Sequence, residues 1–230
     1  RDSVAIWWYN RLRQPELDLD SFDEPYIQQL REAYAARNRD IWVSDVTSDL
    51  GIPTFVAFSR RVDGHPTEDI VFAPAAHLDP RIAMLRALTE LNQMIPGVEP
   101  PAGQSTGYTY DDPEAVQWWQ TATVANQPWV VPNPSVSPRR REDYQQVTHD
   151  DLLDDIRYVQ GVLEQKGIEV LALNQTRLDI GLPVVKMIAP GLRHFWARFA
   201  PGRLYEVPVT MGLLDRPTPE EELNPIPVFI

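Results

Sequence analysis

Proline constrains this chain more than any other residue type. Its 230 residues include 22 prolines, about twice what the average usage of roughly 5% would supply. Each one fixes φ and removes a backbone donor, so it ends helices and is excluded from central strands. Long, stiffened connections are therefore expected between the apolar runs. A hydrophobic content of 43% is enough for one sizeable core in one domain of this length. With 23% charged and 10% aromatic residues, the chain is neither a disordered tail nor a fibrous repeat.

The apolar periodicity sets the order of elements. Val4, Trp7, Trp8 and Leu12 give a short helix over Asp2 to Arg13, and Glu24-Pro25 opens a second through about Asn38. Residues 41–46 and 54–59 read as paired antiparallel strands around a loop holding Gly51 and Pro53, and 69–73 as a third strand. Asp79-Pro80, a cap followed by proline at the first helical position, starts a long helix through about Ile95. The stretch from Gly97 to Asp112 has no periodicity and reads as a functional flap or a mobile linker. A helix is expected from Pro113 to about Ala125. Another, capped by Asp150-Asp151 and stopped by Gly167, should turn Leu152, Leu153, Ile156, Val159 and Leu163 inward. Strands at 169–174 and 183–189 follow, the sequence after Pro190 reads as irregular through Trp196, and the chain ends in a proline-rich tail outside the core. The mixed order predicts an α+β fold, with a mainly antiparallel sheet packed with helices.

The formal charge of −12 repels phosphate backbones and anionic lipid, which argues against nucleic acid and membrane as partners. A nucleotide stays possible where a divalent cation and a few arginines overcome that field locally. The chain has no cysteine, so thiol nucleophiles, disulfides and thiolate metal sites are excluded. His65, His77, His149 and His194 lack metal-ligand spacing. No apolar run approaches membrane-spanning length, and Arg1-Asp2-Ser3 does not open a signal peptide, so a cytoplasmic location is expected. Trp7-Trp8 and Trp118-Trp119 read as core, and Arg139-Arg140-Arg141 as a solvated loop that could dock an acidic partner.

One helix face could carry chemistry. Steps of four and three stack Arg86, Glu90 and Gln93 above one another on the long helix. A carboxylate and an amide oxygen so placed can both reach a hard cation such as Mg2+, and an arginine one turn earlier can neutralise phosphate. By itself the pattern fits a solvated face equally well.

Longer blocks point further. Asp2 to Arg11 resembles the segment that follows the Ser-x-x-x-Glu-x-x-Glu-Arg motif of the YcaO family, with Arg1 in place of its final arginine. Ala76-His77-Leu78-Asp79-Pro80 leading to Glu90-Leu91-Asn92-Gln93 is similar to that family's Glu-x-x-Gln motif. Residues 179–185 and 190–196 resemble its late blocks. The resemblance runs nearly end to end and implies the C-terminal portion of a YcaO domain, whose first acidic motif and upstream nucleotide-binding residues would precede residue 1.

The resemblance implies ATP-dependent cyclodehydration of Cys, Ser or Thr in a ribosomal precursor peptide to azolines, the backbone amide oxygen being phosphorylated. The same chemistry with another nucleophile would form thioamides or amidines, and a silent scaffold subunit is the alternative outside catalysis. ATP and Mg2+ are the expected cofactors. Arg86, Glu90, Gln93 and Arg193 are expected at the nucleotide, with Glu90 and Gln93 on the metal. Azoline-forming members often end in Pro-x-Pro-x-Pro, whereas this chain ends in Pro225-Ile226-Pro227-Val228-Phe229-Ile230. Pro225 and Pro227 are expected to stiffen a tail that positions the chain end for catalysis, and His194 to orient or deprotonate substrate. Expected partners are the precursor peptide, a leader-peptide-binding partner protein or fused domain, and a second copy in a homodimer.

Overall fold

The computed structural model describes residues 1–100, 103 and 107–229; the rest of the expected flap and the last tail residue lie outside the described residues. Three antiparallel strands, β1 (Arg39–Asp45), β2 (Thr54–Arg61) and β3 (Val71–Ala76), form the main sheet in that order. The register aligns Trp42, Phe58 and Phe72 in one cross-strand row, where aromatic pairs stabilise neighbouring strands. β3 begins two residues later than expected and includes Pro74. Proline fits there because β3 is an edge strand, whose outward-facing position needs no donor.

Both faces of β2 are buried. Helix α1 (Asp2–Tyr9) lies against the aromatic row, with the Trp7 ring 5.7 Å from Phe58 and 6.3 Å from Phe72. All eight of its residues are buried, as in a helix enclosed on every side. It stops at Tyr9 rather than Arg13: Arg11 adopts a left-handed φ of 48°, and Leu12 N–H closes on Trp7 O at 3.1 Å. That closure satisfies the last turn and turns Leu12 into the core. Helix α2 (Pro25–Ala35) packs on β1, and α3 (Pro80–Met94) packs across β2 and β3. The Asp79 carboxylate accepts from Arg81 N–H at 2.8 Å, the cap the sequence anticipates. Helix α4 (Pro113–Thr121) ends four residues early and delivers Trp118 and Trp119 to the core.

Helix α5 (Leu152–Gln165) forms where expected, and its end has a plain cause. Gly167 takes a φ of 70° and Ile168 N–H bonds Leu163 O, a left-handed exit that costs glycine little. Its apolar face behaves differently from the expectation. Only Leu163 is buried, whereas Leu152, Leu153 and Ile156 are 78%, 46% and 56% exposed. The stripe faces outward beside the two-stranded hairpin β4 (Leu171–Asn174) and β5 (Val185–Ile188), which is itself exposed. Among the described residues no helix is long and apolar enough to cross a membrane.

Two further departures lie near the end of the chain. Helix α6 (Arg203–Thr210) forms where the sequence reading marks no element, and it carries Pro208 in its interior. Proline cannot donate to the carbonyl four residues back, and Asn10 Nδ2 donates to that oxygen, Leu204 O, at 2.9 Å. The tail is also not peripheral. Trp8 Nε1 donates to Ile226 O at 2.6 Å and Asn224 N–H to Tyr9 O at 2.8 Å. Phe229 is buried among Trp8, Phe72, Trp118 and Trp119. The tail's last apolar residues are core because four large rings need a fifth to close them off.

Candidate functional site

The geometry of α3 follows from its sequence. Ala83, Met84, Ala87, Leu88 and Leu91 are buried, which leaves Arg86, Thr89, Glu90 and Gln93 on the face turned from the sheet interior. That face and the outer end of β3, residues Pro74, Ala75 and Ala76, line an open groove of about 520 Å³. The three predicted side chains are therefore brought together. Thr89 Oγ1 donates to Arg86 O at 3.0 Å, so the threonine, which the sequence does not single out, belongs to the same wall.

Glu90 is half-buried, and among the described residues it makes no ion pair. Burial alone pushes its carboxyl above the usual carboxylate range. A partly desolvated carboxylate without a cation beside an amide oxygen is a donor set suited to a hard divalent ion. No group of three or more acidic or histidine ligands occurs among the described residues. Glu90 and Gln93 can thus supply only part of a coordination shell, the rest coming from phosphate oxygens and water, as Mg2+ prefers.

Arg193 and His194 are elsewhere. They line a second, largely apolar cavity of about 810 Å³ with Arg1, Asp2, Leu50, Ile156, Leu163 and Met187. Ala76 belongs to both walls, so the two spaces meet at the end of β3. Arg193, expected to face phosphate, instead turns its guanidinium onto its own loop: Nη2 donates to Ala200 O at 2.7 Å and also to Pro201 O. Gly202 makes this possible. At its φ of 116° a Cβ would stand 3.0 Å from Arg193 Nη2.

His194 Nε2 lies 3.2 Å from Arg1 Nη1, and Trp196 N–H points at Nδ1 from 3.2 Å. Burial, followed by Arg1 and Arg198, holds the ring's pKa below the ordinary value, which favours the neutral ring. The Arg1 guanidinium also sits over Phe195, 5.1 Å from the ring centroid. Pro225 and Pro227 line neither space; Pro225 is exposed and Pro227 half-buried on the α1 side. An ion network that the sequence does not mark lies beside the second cavity, joining buried Asp2 to part-buried Asp49 and Arg203 and to the more exposed Lys166. Its members are scattered along the chain without a spacing that could have marked them.

Comparison with known proteins identifies the family. The sequence model described as YcaO cyclodehydratase, ATP- and Mg2+-binding, matches residues 1–193. A heterocyclase solved in complex with substrate and cofactor is 44% identical with a TM-score of 0.89, over 99% of this chain and 30% of its own. The heterocyclase TruD is 45% identical with a TM-score of 0.88, over 100% of this chain and 31% of its own. At 22% identity, the YcaO protein of Methanopyrus kandleri bound with AMPPCP and Mg2+ shares the fold, with a TM-score of 0.58 over 83% of this chain and 48% of its own. An uncharacterized protein of Methanothermobacter thermautotrophicus is 28% identical over 202 residues, 85% of this chain and 50% of the relative. The chain thus spans about half of that curated relative and about three tenths of the two heterocyclases. With the family's model matching most of its length and the fold agreeing, the chain belongs to the YcaO family.

Proposed function

We propose that this chain supplies one wall of the nucleotide site in an ATP-dependent peptide cyclodehydratase, which forms azolines from Cys, Ser or Thr of a precursor peptide. The observation that carries the reading is the single groove shared by Arg86, Glu90 and Gln93, in a chain 44–45% identical to heterocyclases along essentially its whole length. Glu90 and the Gln93 amide oxygen hold the cation, and Arg86 donates to a phosphate oxygen. Magnesium, when bound, spreads the charge of the transferred phosphoryl group. Phosphorylation of the backbone amide oxygen then turns a poor leaving group into phosphate.

His194, set against Arg1, orients that arginine at the join between groove and cavity. Pro225 and Pro227 stiffen the approach of the tail to Trp8. A leader-binding partner protein or fused domain would deliver the peptide.

The test is Glu90→Gln in the full-length protein, with ring formation read by mass spectrometry as loss of one water per ring and ATP turnover read alongside. Loss of at least about 100-fold is expected, the range for removing one group that stabilises transition-state charge. Undiminished ring formation would remove Glu90 from the site. Turnover of ATP with sulfide or amine incorporated into the peptide would assign the thioamide or amidine reaction instead.

A further inference from the structure

We propose that Arg203 is a positioning residue: by clamping Asp2 and Asp49 it sets the Arg1–His194 pair at the mouth of the apolar cavity. The inference rests on the functional reading above and deepens it, since Arg203 lies beyond residues 1–193, the stretch that carries the family match. Its side chain is 11% exposed, against 7% for Asp2 and 16% for Asp49. Nε donates to both Asp2 oxygens at 3.1 and 3.2 Å, and Nη2 to Asp2 Oδ2 at 2.7 Å. On the other side Nη2 and Nη1 reach Asp49 at 2.6 and 3.3 Å. Only a planar guanidinium offers a fork that engages two carboxylates at once; an ammonium is a point charge.

Asp2 passes the constraint on. Its Oδ1 also accepts from Arg193 N–H at 2.8 Å, so one carboxylate ties α6, the start of α1 and the 193 backbone together. Arg1 precedes Asp2 and His194 follows Arg193. The two side chains that meet at 3.2 Å are therefore each one residue from the tether. Asp49 passes it on as well: Lys166 Nζ at the end of α5 lies 3.2 Å from Asp49 Oδ2, and Leu50 next to it lines the cavity. Buried ion pairs stabilise a fold poorly against apolar replacements, and breaking one strands a charge. Three charges so enclosed, Asp2, Asp49 and Arg203, with the more exposed Lys166 at their edge, are better explained by the geometry they fix.

The experiment uses the full-length protein carrying Arg203→Lys, Asp49→Asn or Asp2→Asn. Thermal melts confirm folding, NMR titration of His194, assigned with His194→Gln, reports geometry, and peptide dehydration gives kcat and KM. Arg203→Lys should release Arg1, raise the His194 pKa toward its ordinary value and cut kcat about 10- to 100-fold, with KM for ATP within about twofold. Asp49→Asn leaves the Asp2 half intact and should shift His194 less than Arg203→Lys does. If Arg203→Lys does not fold, Asp2→Asn decides. It too should raise the His194 pKa, whereas loss of a nearby negative charge alone would lower it. A folded Arg203→Lys, or Asp2→Asn in its place, with wild-type His194 titration overturns the proposal. So does an equal shift in Asp49→Asn, which would mean general loosening. If wild-type protein forms no rings, the functional reading fails while the His194 titrations still decide the clamp.

Discussion

Phe229→Ala is the substitution that most sharply separates a structural tail from a mobile one. Phe229 is 6% exposed, with its ring 5.1 Å from Phe72, 5.9 Å from Trp118, 6.0 Å from Trp8 and 6.4 Å from Trp119. Truncating a buried phenylalanine costs about 3–5 kcal/mol, and more where the surroundings cannot collapse into the space left. These four neighbours are themselves fully buried and held by their own contacts; Trp118 Nε1, for example, donates to Ile70 O at 2.9 Å. The upper half of the range is therefore expected. At about 2–4 °C per kcal/mol for a domain of this size, the melting temperature should fall by roughly 8–20 °C. Pro225→Ala and Pro227→Ala act mainly through unfolded-state entropy and should cost about 0.4–1 kcal/mol each. Calorimetry on the three variants of the full-length protein, with ring formation measured below each transition, is the assay. A Phe229→Ala shift no larger than that of Pro225→Ala would refute the packing argument.

Glu90 gives a prediction with a definite sign. Its folded pKa is raised by burial, so in the free protein its contribution to stability falls as pH rises through the unfolded value toward the folded one. Glu90→Gln should then leave the free protein's melting temperature at pH 7 equal or higher, yet abolish the rise that magnesium–ATP produces. A Glu90→Gln variant that still gains that rise would count against metal binding at this residue. For the same reason, magnesium-dependent nucleotide affinity of wild type should fall with acid starting above the ordinary carboxylate range, measured by calorimetric titration. Gln93→Ala should weaken magnesium–ATP less than Glu90→Ala, because a neutral amide oxygen gives less to a divalent ion than a carboxylate; the reverse order would mean that Gln93 is the principal ligand. Asn10→Ala should cost about 1–3 kcal/mol by orphaning Leu204 O in the turn broken by Pro208, and unchanged urea unfolding would show that water replaces the amide.

Local signals were legible in the sequence where one residue type has one mechanical meaning. Asp79-Pro80 and Asp112-Pro113 start α3 and α4 as written, because an aspartate cap and a first-turn proline work in any context. The helix face of Arg86, Glu90 and Gln93 was likewise legible, since periodicity alone decides which side chains align. Burial was less so. The stripe of α5 is as regular as that of α3, yet it is exposed; a pattern says that a face is apolar, and only tertiary structure says what covers it. The tail is the opposite case: its prolines suggest a surface segment, while Trp8 supplies a long-range bond to Ile226 O; α6, where the sequence marks no element, takes its missing bond from Asn10. The Arg203 network could not be read at all, because Asp2, Asp49, Lys166 and Arg203 become neighbours only through the fold.

On the proposed reading, the local charge of the groove is what would let so acidic a chain accept an anionic nucleotide. A formal charge of −12 repels free polyphosphate at long range, but that field is screened over about 8–10 Å at physiological salt. Inside the groove the balance is local. Arg86 lines the same groove, but among the described residues it forms no ion pair with Glu90, a carboxylate that burial disfavours. Free nucleotide would bring its negative charge against that carboxylate, whereas a nucleotide carrying magnesium presents the one charge that relieves it. Discrimination would then come from Glu90 repelling the wrong form as much as from Arg86 attracting the right one. On that reading the same carboxylate would make the metal-loaded nucleotide the form the groove prefers.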